Sequence, residues 1–183
     1  GTGISFGTAV VAHSGNSAYT NVEGIGNDKV VGVYRDDGDS DKGKAIVGTV
    51  SGTDISFGSD VEFNTSGDGY DWASIGSSKV VIAYKDVGNS GHGTAIVGTV
   101  DGTDITFGSE AVYEAATTGN LDTGIAFIGS DKVVISYQDE GNSNAGTAVV
   151  GTVSGTVISY GSEVVFESAN AISRSTVSHI FEN

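Results

Sequence analysis

Three loops of this 183-residue chain carry an aspartate two residues before a glycine and end on serine. They are Asp36-Asp37-Gly38-Asp39-Ser40, Asp86-Val87-Gly88-Asn89-Ser90 and Asp139-Glu140-Gly141-Asn142-Ser143. A carboxylate so placed accepts hydrogen bonds from the amides of its own loop, and the glycine supplies a backbone angle that other residues resist. Three equivalent copies assign Asp36, Asp86 and Asp139 to turn structure, because a catalytic site is normally single. The first loop adds a second chemistry. Asp37, Asp39 and Asp41 alternate ahead of Gly43, as in loops that wrap carboxylate oxygens around a calcium ion. Lys42 interrupts this pattern, and Gly48 stands where such loops place a bidentate glutamate. Calcium on Asp37, Asp39 and Asp41 is the one cofactor that the residue spacing offers.

A third group of candidates lies in segments that differ between copies of an internal repeat. They hold His13, Ser14, Asn16 and Tyr19, then Asn64, Asp68, Tyr70, Asp71 and Trp72. Next come Glu114, Asn120, Leu121 and Asp122, and last Asn170, Arg174 and His179. Aromatic faces beside Asn and Asp can stack on sugar C–H groups and bond hydroxyls. Tyr19, Tyr70, Asp71 and Trp72 are therefore the candidate glycan contacts. In the competing reading, Tyr70 and Trp72 anchor a crossing loop against its sheet.

Enzyme chemistry finds little material. The chain has no cysteine, which removes thiol catalysis, disulfides and thiolate metal sites. Its three histidines lack metal-ligand spacing, and neither a nucleophile elbow nor a phosphate loop occurs. The expectation is a protein that is not an enzyme.

The elements that must position these residues come from the repeat. Gly43-Lys44-Ala45-Ile46-Val47-Gly48-Thr49-Val50 returns as Gly93–Val100 and Gly146–Val153. Ile55-Ser56-Phe57-Gly58-Ser59 matches segments beginning at Ile4, Ile105 and Ile158. Between Gly1, Gly52, Gly102 and Gly155 the periods are 51, 50 and 53 residues. Within one period, strands are expected at Ala73–Gly76, at Lys79–Asp86, at Thr94–Val100 and at Ile105–Tyr113 with a kink at Gly108. No segment sustains a helical apolar period. Two-residue links such as Ser77-Ser78 make the neighbours antiparallel hairpins. The D-x-G loops and the variable segments then share one rim.

Four-stranded antiparallel units of about 50 residues are the arithmetic of β-propeller blades. Strand Lys79–Asp86 is apolar on both faces, as a sheet packed between neighbours requires. A flat β-solenoid is the competitor, but its coils repeat at about half this length. The expected fold is all-β, as one repeat domain over residues 1–183. It divides into an orphan outer strand (1–12), blades at 13–63, 64–113 and 114–166, and an orphan inner strand (167–183).

The D-x-G hairpin loops resemble the Asp-box and related repeats of β-propellers. The likeness covers nearly the whole chain, although the Ser or Thr before the Asp and the closing aromatic of that motif are replaced. GTAIVGTV followed by ISFGS also looks like repeats of secreted bacterial and phage virion proteins. The resemblance implies an extracellular or virion-surface location and transfers no catalytic residue. A sialidase-type propeller shares the scaffold but needs an arginine triad, and only Arg35 and Arg174 are present.

Three and a half blades fall short of the about 4–8 of closed propellers. The expected partners are therefore further blades, from a longer chain or from other copies, with glycans as possible ligands. The 23 acidic and 8 basic side chains give a net charge of −15, which argues against nucleic acid. No apolar run approaches the roughly 18 residues that span a bilayer, so membrane insertion is not expected. The function expected is structural or adhesive; a purely architectural subunit, or part of a glycan-active enzyme completed elsewhere, are the alternatives.

Overall fold

A computed structural model describes residues 3–26, 28–119 and 123–168. The described residues form three antiparallel sheets and contain no α-helix, so no helix is long and apolar enough to cross a membrane. The first sheet orders β1 (Ser17–Ile25), β2 (Lys29–Asp36), β3 (Lys42–Ser51) and β4 (Asp54–Phe57), and β5 (Val61–Asn64) also pairs with β3. The second comprises β6 (Gly67–Ile75), β7 (Lys79–Asp86), β8 (His92–Asp101), β9 (Asp104–Phe107) and β10 (Ala111–Thr117). The third comprises β11 (Gly124–Gly129), β12 (Lys132–Asp139), β13 (Ala145–Ser154), β14 (Val157–Tyr160) and β15 (Val164–Glu167).

Each sheet is a four-stranded meander whose last strand is broken in two. Phe107 pairs opposite Gly98, whereas Ala111 pairs opposite Ala95, so β9 and β10 share one partner strand. The break falls at Gly108 and has a tertiary cause. A Cβ on Gly108 would lie 2.0 Å from the Thr156 carbonyl oxygen in the β13–β14 turn of the next sheet. A Cβ on Gly58 would likewise run into the Thr103 carbonyl oxygen, and one on Gly7 into that of Thr53. The repeated glycine is thus where one sheet receives the turn of the next.

The sheets pack face to face through alternate residues. In the second sheet Trp72, Val80, Ile82, Tyr84 and Ile96 pack on Val31, Val33, Ala45 and Val47 of the first. Its opposite face, with Ala73, Ile75, Val81, Ala83 and Val97, packs on Ile125, Val133, Ile135 and Tyr137 of the third. Each valine or isoleucine among them contributes roughly 1.5–3 kcal/mol when fully buried. The first strands lie side by side, with β6 between β1 and β11.

The expected orphan outer strand does not form over residues 3–12. An outer strand needs a third strand to pair with, and among the described residues none stands in that position before it. Ile4, Phe6 and Val11 are exposed in consequence. Of the orphan inner strand, all but residues 167 and 168 lies outside the described residues.

Candidate functional site

The D-x-G loops form one-turn caps. Gly38 N donates to Asp36 Oδ1 at 3.0 Å, Asn89 N to Asp86 Oδ1 at 3.2 Å and Asn142 N to Asp139 Oδ1 at 3.0 Å. The serine closing each loop, Ser40, Ser90 or Ser143, has a left-handed φ. The variable segments meet these loops on one rim: Asp37 N donates to Asn16 O, and Gly88 N to Ser66 O.

Asp37, Asp39 and Asp41 face cations of the chain rather than one another. Arg35 Nε lies 2.7 Å from Asp37 and 3.6 Å from Asp41, while its Nη1 contacts Asp68. Asp39 pairs with Lys42 at 3.3 Å and Lys44 at 3.1 Å. The lysine that interrupts the calcium-like spacing is thus one of the counter-charges. The oxygens of these three aspartates do not converge to within the spacing of a shared ion.

Of the four candidate glycan contacts, Trp72 is 1% exposed and Tyr70 is buried. Tyr70 packs edge-on to Phe63, with centroids 5.4 Å apart, and against Tyr84 at 5.7 Å. Neither ring offers a sugar a stacking face. Tyr19 is half-buried at a bulge with φ 51°, and the Arg35 guanidinium covers its ring at 4.7 Å. Asp71 joins three sheets: it accepts from Asn21 Nδ2 in β1 at 3.1 Å and from Ile125 N in β11 at 3.0 Å. Asn120, Leu121, Asp122, Asn170, Arg174 and His179 lie outside the described residues.

Burial pushes the Asp71 carboxyl above its ordinary value of 3.8, despite the donors around it. A carboxyl whose folded pKa is raised binds its proton more tightly when folded. Its contribution is therefore present at low pH and lost as pH rises through the raised value. Asp71→Asn is expected to remove this decline, giving a flatter urea-midpoint profile from pH 3.8 upward. An unchanged profile would show that Asp71 is not the group responsible.

A repeated polar seam emerges that the sequence reading missed. In each repeat the tyrosine of the second strand is followed 26 residues later by an acid at the break of the fourth. Tyr34 donates to Asp60 at 2.7 Å and Tyr84 to Glu110 at 2.6 Å. Tyr137 and Glu163 are the third pair. The D-x-G aspartate lies beside each pair, and one further residue arrives from the preceding segment: His13, Asn64 or Glu114.

The three copies are compensated differently. In the first, Lys44 Nζ lies 2.8 Å from Asp36, 3.1 Å from Asp39 and 3.9 Å from Asp60. This ammonium holds Asp36 and Asp39 below the ordinary carboxylate value. His13 adds contacts of 3.5 Å to Asp36 and 3.9 Å to Asp60. In the second, Asn64 Nδ2 donates to Asp86 at 3.3 Å and Glu110 at 3.0 Å. In the third, Glu114, Asp139 and Glu163 bring carboxylate oxygens within 4.8 Å of one another, and no cationic side chain among the described residues pairs with them. Burial, then the charge of Glu114, pushes Asp139 and Glu163 upward.

No family model, curated protein or solved structure matches this chain. The repeat's own three copies are therefore the comparison from which its site can be read.

Proposed function

We propose that this chain is a non-enzymatic structural module of β-propeller type, on a secreted or virion surface, whose end faces receive further blades of the same repeat. One observation carries the proposal. Trp72 is 1% exposed between the first two sheets, whereas Val22, its counterpart 50 residues earlier on the outer face of the first sheet, is 56% exposed. Gly32 likewise stands where the second sheet has Ile82. The smaller residues leave an apolar groove of about 260 Å³ between this face and the first segment, lined by Val11, His13, Val22, Tyr34, Ile46 and Phe57.

A blade of this repeat is the occupant whose chemistry fits. Residues 3–13 already follow the first sheet as the outer edge of a preceding repeat would, with Gly7 on Thr53 and His13 beside Asp36. Stacked repeats gain stability chiefly through such nearest-neighbour interfaces. The net charge of −15 keeps the remaining surface soluble.

The test adds a copy of residues 64–101 ahead of Gly1, so that residues 1–12 complete the new repeat in register as its outer strand. Its urea midpoint should exceed that of the 183-residue chain, and Val22→Glu should remove the gain while leaving the shorter chain unchanged. A longer chain with no gain in stability would overturn the proposal.

A further inference from the structure

We propose that Glu114, Asp139 and Glu163, completed by the Thr147 hydroxyl, form a calcium-class divalent cation site at the seam between the second and third sheets. The carboxylates come from three separate stretches. Glu114 lies in β10, Asp139 ends β12, and Glu163 sits at the break between β14 and β15. Their facing oxygens, within 4.8 Å of one another, match the spacing of ligands about 2.4 Å from a shared calcium ion. An all-oxygen, triply acidic set selects a hard cation and excludes the softer metals that prefer nitrogen or sulfur.

Two further observations point to the same ligand. The first is Thr147, which is 1% exposed and whose Oγ1 has no hydrogen-bond partner. Thr147 lies directly opposite Tyr137 in the β12–β13 ladder, so its side chain shares the face on which Tyr137 reaches Glu114 at 3.4 Å. A buried hydroxyl without a partner is costly, and a cation beside it would engage its lone pairs.

The second comes from the sister repeats. The residue corresponding to Thr147 in the first repeat is Lys44, which lies opposite Tyr34 in the same register. Its ammonium stands among Asp36, Asp39 and Asp60, so a positive charge occupies this place where the side chain supplies one. In the second repeat, Asn64 replaces the third acid and its amide donates to the other two. The third repeat has neither device, and it has one more carboxylate than the second. A bound dication would restore the balance and tie Glu114 of the second sheet to Asp139 and Glu163 of the third.

The sister repeats also supply the test variants. Thr147→Lys installs the solution of the first repeat, and Glu114→Asn that of the second. Calcium binding is read by titration calorimetry and by the thermal midpoint, with terbium emission under tyrosine excitation as a third probe near Tyr137. The wild-type chain should bind calcium, gain thermal stability from it and sensitise terbium. Both variants should remain folded by circular dichroism, lose the calcium shift and bind at least about tenfold more weakly. Asp39→Asn in the first loop should leave the calcium response intact. A wild-type chain without heat or shift at about 10 mM calcium, beyond the roughly 10⁻³ M weak end of protein calcium sites, would overturn the proposal. Folded variants that bind as wild type does, or a response abolished by Asp39→Asn, would also overturn it. If neither variant folds, calcium-displaceable terbium emission sensitised by tyrosine in the wild type and retained in Asp39→Asn supports the site, and its absence overturns it.

Discussion

Gly108→Ala is expected to destabilise the protein by about 3 kcal/mol, at the upper end of what overpacking one methyl costs. The added Cβ would lie 2.0 Å from the Thr156 carbonyl oxygen and 2.9 Å from the Thr156 Cβ. Backbone conformation is not the obstacle, because Gly108 does not have a left-handed φ. The obstacle is the β13–β14 turn of the next sheet, a backbone segment whose own ladder holds it in place. Relief requires the second and third sheets to move apart, and their shared apolar core would loosen with them. Gly161 is the matched control, since among the described residues its Cβ would meet only the Val150 oxygen, at 3.9 Å. Gly161→Ala should stay within about 0.5 kcal/mol of wild type. Urea midpoints of the two variants decide the matter. Equal stabilities would mean that the repeated glycine does not seat the neighbouring turn.

The same glycine shows how far the sequence could be read. Its recurrence is visible in ISFGS and its copies, and a kink there follows from glycine alone. That the kink is a complete break, with a conserved spacing to a tyrosine 26 residues earlier, depends on what the next sheet places against it. Strand Lys79–Asp86 was legible to the residue, because β-branched residues on both faces and a two-residue link leave little choice. Gly67–Ile75 was harder. Its length varies between repeats, so Gly-Asp-Gly-Tyr-Asp-Trp reads as a crossing loop, yet Tyr70 and Trp72 alternate with Asp71 as a strand requires. The bulge between Asp68 and Asp71 hides that alternation. The acidic seam was the least legible feature. Glu114 and Glu163 belong to no local motif, Asp139 reads as one of three equivalent turn aspartates, and only the packing of two sheets joins them. Aligning the repeats by position would have exposed the signal, as a column reading Lys44, Thr94, Thr147 beside one reading His13, Asn64, Glu114.

Trp72→Ala is expected to cost about 3–5 kcal/mol, the range for removing a large aromatic from a core. The side chain is among the largest fully buried ones in the protein, and it packs where the first and second sheets share Ile25, Val33 and Ile82. Truncation would leave a cavity that two hydrogen-bonded sheets cannot close by sliding, because the ladders on either side fix their strands. The indole Nε1 has no hydrogen-bond partner, so the native residue already carries an unpaid polar penalty at this position. Trp72→Phe removes that nitrogen together with part of the ring, and the two effects oppose each other. It should therefore cost far less than alanine, about 1.5 kcal/mol or under for a substitution that keeps most of the volume. Denaturant midpoints with unchanged m values would establish that both variants act on stability. The contrast also separates the two roles open to this residue. A tryptophan exposed for sugar stacking would lose little stability on truncation, whereas a tryptophan wedged between sheets cannot be removed without weakening the stack itself. A Trp72→Ala variant as stable as wild type would return the ring to the surface and the rim to candidacy as a binding face.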